Sequence, residues 1–309
     1  MKKITIGTRG SQLALYQAYK VKDTLKEANR SLQVDIQIIH TKGDKILDVA
    51  LSKIGDKGLF TKEIEVALYN KSVDIAVHSC KDLPTMLPEG LQLGAVLERG
   101  EFRDALVCLS GKQLSELTEN DVVATSSLRR QAALLSIHPN IQIKDIRGNV
   151  QTRLNRMSEG YCDAMIMAAA GLQRLKLNQY ITEIIDPEVV MPAVAQGAIA
   201  IELRQNDPEV MEILQTINHQ PTWTAILAER AFLRTLEGGC QVPLGCYSQM
   251  DGDTITLHGF VASIDGKKFI KDVTIGNIYH PEKCGIDLAN KLLKKGAGPI
   301  LEKIKKESN

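Results

Sequence analysis

The feature that most constrains the fold of this chain is a repeated alternation of short apolar runs with segments of helical periodicity. The apolar runs, which we predict to be strands, are residues 3–7, 34–40, 74–79, 122–125, 141–146 and 162–168. After the first run, apolar residues recur at the spacing of one helix face, at Ala14, Ala18, Val21 and Leu25. Ser11 precedes them and is a suitable helix cap. Strands that alternate with helices through short loops form mostly parallel sheets, so the pattern predicts two α/β domains rather than one.

The last third of the chain follows a different pattern. A helix with two apolar rows ends at residues 238–239, a Gly-Gly pair typical of helix ends. Segments 254–261 and 269–276 alternate polar and apolar residues around a hairpin-type turn, and helices cover 282–307 with a break at 296–299. We therefore predict a small C-terminal α+β domain. The predicted boundaries are residues 1–98 with 192–217 for domain 1, 99–191 for domain 2 and 218–309 for domain 3.

Charge and cysteine usage argue against several classes of protein. The 38 basic and 37 acidic side chains nearly cancel, so no global field draws the chain to nucleic acid or an anionic membrane. The N-terminus lacks the apolar region of a signal peptide, and no run of about 18 apolar residues occurs. The six cysteines and six histidines show no C-x-x-C or H-E-x-x-H spacing, so we expect no metal site. We predict a cytoplasmic protein that binds neither membranes nor nucleic acid.

Arginines are concentrated where predicted strands end and the next helix begins. Such turns present free N–H groups to anions. The arginines in or just after these turns are Arg9, Arg129, Arg130, Arg147 and Arg153. Because a cation in the first turn of a helix opposes the macrodipole by about 0.3–1 kcal/mol, their repetition predicts a bound polyanion. A guanidinium fits carboxylate and phosphate equally well, and any one of these arginines taken alone is also compatible with an ordinary surface residue.

Two further segments each have a functional and a structural interpretation. The Gly- and Lys-rich loop 41–58, with Lys53 and then Phe60, is either a mobile basic flap or a solvated loop. Asp82 beside Lys81 stands at the end of a predicted strand, yet K-D-x-P is also a common turn. The first turn, GTRGSQ, matches neither a dinucleotide fingerprint nor a Walker loop, so nucleotide binding is weakly supported.

Seven segments together resemble the porphobilinogen deaminase family, also called hydroxymethylbilane synthases. They are GTRGSQLAL (7–15), KGLFTKEIE (57–65), HSCKDLP (78–84), TSSLRRQAAL (125–134), IRGNVQTRL (146–154), AAAGLQRL (168–175) and EGGCQVPLG (237–245). They occur in order, at matching intervals, and cover most of the chain. The resemblance implies two periplasmic-binding-protein-like α/β domains with mostly parallel sheets and a small C-terminal α+β domain. The chain departs from the family pattern at Cys80, usually methionine, and at Ala124, where glycine is common.

The resemblance also implies an activity. It implies a monomeric transferase of tetrapyrrole and heme biosynthesis, which joins porphobilinogen molecules into linear hydroxymethylbilane and releases ammonia. Asp82 and Lys81 are the implied catalytic residues, and the implied cofactor is a dipyrromethane held covalently by Cys240. The residues implied to bind the cofactor are Cys240, Ser11, Lys81, Asp82, Thr125, Ser126, Ser127, Arg129, Arg130, Arg147 and Gly148. Those implied to bind the substrate are Arg9, Ser11, Lys53, Phe60, Arg147, Arg153, Arg174 and Gln196.

Two other classes of protein stay open on the residues alone. A solute-binding or ligand-sensing module also has two α/β lobes around an anion site, but it would have no need of Cys240. The absence of an export signal and of a helix-turn-helix segment argues against that class. A cysteine hydrolase would need a histidine partner for Cys240, which the sequence does not identify, and taken alone this cysteine is an ordinary loop residue.

Overall fold

The structure is a computed structural model that describes residues 3–45, 58–237 and 242–308. These residues divide into two units. Unit 1 comprises residues 3–45, 58–100 and 197–223, and unit 2 comprises residues 101–196, 224–237 and 242–308. No helix within these ranges is long and apolar enough to cross a membrane.

Strands and helices alternate through most of the chain, as the sequence predicts. The strands are β1 Lys3–Thr8, β2 Gln33–Ile38, β3 Ile75–Ser79, β4 Leu91–Val96, β5 Asp104–Cys108, β6 Val122–Ala124, β7 Gln142–Lys144, β8 Ala164–Ala168, β9 Glu183–Ile184, β10 Ile199–Arg204, β11 Leu244–Asp251, β12 Thr254–Ala262 and β13 Phe269–Asn277. The helices are α1 Gln12–Ala28, α2 Lys42–Lys45, α3 Lys62–Tyr69, α4 Leu128–Ile137, α5 Val150–Ser158, α6 Ala169–Arg174, α7 Pro208–Gln215, α8 Gln220–Thr235, α9 Pro281–Leu292 and α10 Gly298–Ser308.

Unit 1 contains a mixed sheet with the strand order β2-β1-β3-β10-β4. β1 pairs in parallel with β2 and β3, whereas β10 runs antiparallel to both β3 and β4. The chain therefore leaves this sheet after β4 and returns later to insert β10 between β3 and β4. At the end of β3, Ser79 lies opposite Ile199, the first residue of β10.

Helix α1 covers one face of this sheet, and its buried residues follow the predicted helical spacing. Ala18 and Val21 pack with Ile6 of β1 in one apolar core. Since a fully buried large aliphatic side chain stabilises a fold by about 1.5–3 kcal/mol, this core fixes α1 on the sheet. The Ala14 N–H donates to the Ser11 hydroxyl at 3.3 Å, which confirms the predicted cap.

Unit 2 contains a second mixed sheet, with the order β7-β6-β8-β5-β9. β6 pairs in parallel with β7 and β8, whereas β5 runs antiparallel to β8 and β9. Apolar cores lie on both faces, one around Leu106 and the other around Met165. Because both faces are covered, the central strands are nearly continuous apolar runs. Asp104, the first residue of β5, lies opposite Ala168, the last residue of β8.

Unit 2 also holds an antiparallel sheet of β11, β12 and β13. β12 and β13 form the predicted hairpin, which is closed where the Ser263 N–H donates to the Lys268 carbonyl at 2.9 Å. Helix α9 is separated from α10 by a turn in which Gly296 has a φ of 101°. That left-handed conformation favours glycine and accounts for the predicted break in the C-terminal helices.

The predicted α/β class with a small C-terminal α+β part is confirmed by these sheets and helices. One detail was not anticipated. Each α/β sheet contains one strand that runs antiparallel to its neighbours, β10 in unit 1 and β5 in unit 2. Adjacent parallel strands need a crossover along the same sheet. β5 and β10 instead follow the two points where the chain passes from one unit to the other.

Candidate functional site

The carboxyl ends of the parallel strands of unit 1 carry the Lys-Asp pair that the sequence singles out. β3 ends at Ser79 and continues into a 3-10 turn, Cys80–Asp82. The Cys80 N–H donates to a carbonyl just before β10 at 3.0 Å, and Gln17 Nε2 donates to the Ser79 hydroxyl at 2.9 Å. These bonds fix the start of the turn. It presents the exposed Asp82 beside half-buried Lys81.

The first strand of the same sheet brings an arginine to this edge. The Arg9 guanidinium lies over the Phe60 ring, 4.2 Å from its centroid. A Cβ at Gly43 would overlap that ring, so glycine allows this close approach of the chain. Stacking on an aromatic face orients a guanidinium and leaves its N–H edge for hydrogen bonds. Two predicted substrate-binding residues are therefore adjacent, whereas Lys53 lies outside the described residues.

The corresponding edge of unit 2 contains a buried carboxylate that the sequence reasoning missed. Asp104 accepts hydrogen bonds from Arg129 Nη1 and from Arg130 Nη2, both at 2.7 Å. Gln196 Nε2 donates to the same carboxylate at 2.9 Å. Burial raises the pKa of such a group, but the two guanidiniums outweigh burial and hold the pKa of Asp104 well below its usual range. The structure thus brings three predicted ligand-binding residues together on a carboxylate of the protein itself.

The two arginines of this cluster are also bonded to the backbone. Arg129 Nη1 donates to the Met191 carbonyl, and Arg130 Nη1 donates to the Ile166 carbonyl at 3.0 Å. Arg130 Nε is buried and has no hydrogen-bond partner among the residues that the structure describes. Two guanidiniums share one carboxylate, so the cluster retains one positive charge in excess. A buried excess charge is costly, which favours an additional anion at this edge.

A single hydroxyl joins the two strand-to-helix turns beside this cluster. Ser126 Oγ donates to the Ile146 carbonyl at 3.0 Å and accepts from the Ile146 N–H at 2.9 Å. The buried Arg147 follows directly. Gly148 has a φ of 108°, a conformation that favours glycine, and its carbonyl accepts from Arg153 Nε at 2.9 Å. The turn therefore places Arg147, Gly148 and Arg153 in one fixed group.

The remaining predicted residues are placed individually. Thr125 and Ser127 flank this turn, and the Ser127 N–H donates to the Thr125 hydroxyl at 3.3 Å. Ser11 uses its hydroxyl as the cap of α1. Arg174 is half-buried at the end of α6, after β8. Cys240, the predicted cofactor anchor, lies outside the described residues.

Among solved structures, similarity is found to periplasmic binding domains. The VFT2 domain of BvgS from Bordetella pertussis matches with a TM-score of 0.43 at 14% identity, over 70% of this chain and 85% of that chain. The probable amino-acid ABC transporter extracellular-binding protein ytmK from Bacillus subtilis matches with a TM-score of 0.43 at 12% identity, over 70% and 90% of the two chains.

Family models and curated relatives agree with the seven motifs. Residues 4–212 match the porphobilinogen deaminase dipyrromethane cofactor binding domain, and residues 223–294 match the porphobilinogen deaminase C-terminal domain. A porphobilinogen deaminase from a Synechococcus species is 51% identical over 98% of this chain and 97% of its own length. Another, from Carboxydothermus hydrogenoformans, is 48% identical over 100% of this chain and 99% of its own. The chain therefore belongs to the porphobilinogen deaminase family, and its residues 4–212 form that family's dipyrromethane cofactor binding domain.

Proposed function

We propose that this chain joins porphobilinogen molecules head to tail into the linear tetrapyrrole hydroxymethylbilane, with release of ammonia, on a covalently bound dipyrromethane. The observation that carries this proposal is the match of residues 4–212 and 223–294 to the two domains of one family. The chemistry needs a carboxylate near the reacting pyrrole, and cations that bind the carboxylate side chains of the pyrroles. Asp82 and the arginine-rich strand edges supply both.

The donor groups of unit 2 fit a ligand that carries several carboxylates. Arg129 and Arg130 already hold one carboxylate, that of Asp104, and keep one positive charge in excess. Guanidiniums bind carboxylates with strong charge-assisted hydrogen bonds. We propose that the unit 2 residues that hold the dipyrromethane are Thr125, Ser126, Ser127, Arg129, Arg130, Arg147 and Gly148.

Unit 1 and the anchor complete the proposed cofactor set. The unit 1 residues are Ser11, Lys81 and Asp82, and Cys240 provides the covalent attachment. When bound, the dipyrromethane supplies the pyrrole carbon to which the first substrate unit is joined. Lys81 neutralises a carboxylate of the bound pyrroles beside Asp82.

Asp82 is the proposed catalytic residue. Loss of ammonia from porphobilinogen leaves an electron-poor carbon, and the coupling step develops positive charge on a pyrrole nitrogen. A carboxylate fixed beside that nitrogen stabilises the charge and orients the N–H, an effect of about 2.7–4 kcal/mol for one strong electrostatic group. The bonds at Ser79 and Cys80 hold the turn, so little reorganisation is needed when the charge forms.

The substrate acetate and propionate groups need several cations. We propose Arg9, Ser11 and Phe60 in unit 1, Arg147, Arg153, Arg174 and Gln196 in unit 2, and also Lys53, which lies outside the described residues. The Arg9 guanidinium stacked on Phe60 supports a joint role for these two. Gln196 is buried, and its Nε2 donates both to Asp104 and to the Phe102 carbonyl. We therefore propose that Gln196 affects substrate binding through the two arginines that Asp104 holds.

The domain boundaries, the cellular compartment and the oligomeric state are proposals as well. The interval between the two family models supports a separate C-terminal domain, and we retain boundaries of 1–98 with 192–217, 99–191 and 218–309. We further propose a cytoplasmic monomer that does not bind nucleic acid. The nearly balanced charge of the sequence supports the last point.

Incubation with porphobilinogen, followed by product analysis and intact-protein mass measurement, tests the proposal. Hydroxymethylbilane should form, and a dipyrrole should stay attached after denaturation, on the peptide that contains Cys240. Unmodified Cys240 in fully active protein would contradict the covalent cofactor. Absence of the product would contradict the reaction itself, and reversible binding without an adduct would favour a solute-binding module.

A further inference from the structure

The chain that leads from β9 to β10 contains a turn with an unusual backbone conformation. The Gln196 N–H donates to the Ala193 carbonyl at 3.0 Å, which closes a turn over residues 193–196. The third residue of the turn, Ala195, has a φ of 58°. A left-handed φ at that position favours glycine, because the Cβ of any other residue is crowded by the neighbouring backbone. We therefore expect an interaction that compensates for this conformation at Ala195.

The other non-glycine residues with a left-handed φ, within the part of the chain that the structure describes, lie just after helices. Lys71, Lys176 and Glu237 follow α3, α6 and α8. This conformation is common where a helix ends. Ala195 follows no helix, and it is buried, at 1% exposure. Its conformation is therefore not explained by a helix end.

The compensating interaction comes from Glu229, on α8. Its Oε2 accepts from the Ala195 N–H at 2.7 Å, and its Oε1 accepts from the Ser248 hydroxyl of β11 at 2.8 Å. Glu229 is fully buried, at 0% exposure. A hydrogen bond from a backbone N–H to a carboxylate is strong, and low local polarity strengthens it further. Glu229 therefore ties the third residue of the turn to α8 and β11.

β11 also holds the residues just before the turn. The Cys246 N–H donates to the Pro192 carbonyl at 3.1 Å. A Cβ at Gly245 would lie 2.9 Å from the Met191 carbonyl oxygen, which is too close for a real side chain, so glycine permits this approach of the two segments. The start of the turn is thus anchored to β11, and the hydrogen bond to Glu229 fixes its third residue.

The conformation of Ala195 determines where the next side chain points. Gln196 is fully buried, and its Nε2 donates to Asp104 at 2.9 Å. Because Gln196 directly follows Ala195, a change of the Ala195 backbone would turn this amide away from the Asp104 carboxylate. That carboxylate holds Arg129 and Arg130. The placement of the two guanidiniums therefore depends on the conformation of the turn.

We propose that Glu229 is a positioning residue for the reaction, because it holds Ala195 in the left-handed conformation that directs Gln196 onto the buried carboxylate. The two arginines on that carboxylate, Arg129 and Arg130, are thereby fixed for the carboxylates of the ligand. The inference rests on the proposed function, since the ligand of these arginines is the dipyrromethane proposed above. The placement of Gln196 by Glu229 does not depend on that function and can be measured separately.

The first test removes the support of the turn and then removes the need for it. Glu229→Met deletes both acceptor oxygens and keeps a side chain of similar length. KM for porphobilinogen should rise roughly tenfold and dipyrromethane content should fall, whereas kcat of the protein that carries the cofactor should change less. Ala195→Gly adopts a left-handed φ without support, so in the Glu229→Met background it should lower KM again by about fivefold. By itself Ala195→Gly should leave KM nearly unchanged.

The second test asks whether Glu229 acts through Gln196. Gln196→Met should raise KM by a similar factor, and Glu229→Met should add little in that background, because residues that act in series are not additive. Ser248→Ala is the matched control. It removes the other hydrogen bond to Glu229 and keeps the one from Ala195, so it should lower stability in urea unfolding and leave KM unchanged.

The side-chain amide of Gln196 reports its own placement without any ligand. In wild type this amide is buried and donates to Asp104 and to the Phe102 carbonyl, so its NMR signals should exchange slowly with solvent. In Glu229→Met the exchange should be about tenfold faster, and Ala195→Gly should slow it again.

Slow Gln196 exchange in Glu229→Met would overturn the inference, whatever the activity. A raised KM that Ala195→Gly does not lower, together with additive effects of Glu229→Met and Gln196→Met, would overturn it as well and leave Glu229 a purely structural residue. If Glu229→Met does not fold, the same comparisons use Glu229→Asp, which keeps the charge but withdraws it by one methylene. Failure of the wild type to form hydroxymethylbilane would instead contradict the proposed function, and the Gln196 signals would still decide whether Glu229 places this residue.

Discussion

The two α/β sheets of this protein have the same strand order but place their carboxylates differently. In unit 2 the reversed strand begins with Asp104, which is buried and holds Arg129 and Arg130. In unit 1 the equivalent position is Ile199, and the buried carboxylate of that strand, Glu202, is paired with His78 instead. The acid at the unit 1 edge is Asp82, which is exposed.

This difference suggests a division of labour, in which the corresponding edges of the two sheets have different functions although the sheets share one topology. At the unit 2 edge a buried carboxylate neutralises part of the cationic charge, so the arginines are fixed before any ligand binds. At the unit 1 edge the equivalent position is occupied by the uncharged Ile199, and the exposed Asp82 can face a developing positive charge. We infer that unit 2 mainly holds carboxylates, whereas unit 1 mainly performs chemistry.

The largest effect is expected from Asp104→Asn. Removal of this charge leaves two buried guanidiniums without their counter-ion, which should destabilise the protein by about 3–5 kcal/mol in urea unfolding. The pKa of Asp104 is depressed, so its contribution is present above the ordinary carboxyl pKa and is lost as pH falls towards the folded value. The gap between wild type and variant should therefore shrink on acidification.

Asp121→Asn is the matched control for this substitution. Asp121 is also buried in unit 2, but it is paired with Lys112, at 2.7 Å, and that lysine is partly exposed. Its loss should destabilise the protein less and leave dipyrromethane incorporation unchanged. Equal losses of stability in the two variants would remove the special role that we give to Asp104.

The second largest effect is expected for Asp82, at the unit 1 edge. Asp82→Asn keeps the shape of the side chain but removes its charge, so elongation should fall by about 10²–10³. Asp82→Glu should retain more activity, because the charge survives. Asp74→Asn, at the opposite end of β3, where the carboxylate accepts from the Thr5 N–H, is the control and should elongate normally.

Arg147→Leu should have an intermediate effect at the unit 2 edge. Loss of one charged hydrogen bond to a ligand carboxylate costs about 1.5–3 kcal/mol, so dipyrromethane incorporation and turnover should both weaken by roughly 10–100-fold. Arg156→Leu on the same helix-turn segment, where the guanidinium lies 6.0 Å from the Tyr161 ring, should bind normally. Normal incorporation by Arg147→Leu would show that the ligand does not use this arginine.

Phe60→Leu should give the smallest effect. A cation–π contact at a partly exposed site is worth about 0.5–1 kcal/mol, so KM for porphobilinogen should rise roughly two- to fivefold with kcat nearly constant. Tyr161→Leu, which removes a similar contact with Lys144 in unit 2, should leave KM unchanged. A fall in kcat without a change in KM would assign Phe60 to the chemical step instead.

The sequence predicts features that rest on local signals. Ser11 and the apolar spacing after it predict α1 and its cap, and Gly296 predicts the helix break. β5 and β10 were not recognised as reversed strands, because a short apolar run does not reveal its direction or partner. The Asp104 cluster was missed for a similar reason, since its arginines lie 25 and 26 residues away. The signal that the sequence did contain was Asp104 itself, a charged residue at the start of an apolar strand.

The most direct test of the division of labour measures dipyrromethane content and single-turnover elongation in the same preparations of Asp82→Asn and Arg147→Leu. Intact-protein mass gives the fraction of protein that carries the cofactor. Asp82→Asn should carry the cofactor fully and elongate it about 10²–10³ times more slowly than wild type, whereas Arg147→Leu should lose much of its cofactor first. Near-normal elongation by Asp82→Asn, or a cofactor deficit in that variant with none in Arg147→Leu, would contradict the assignment of chemistry to unit 1 and carboxylate binding to unit 2.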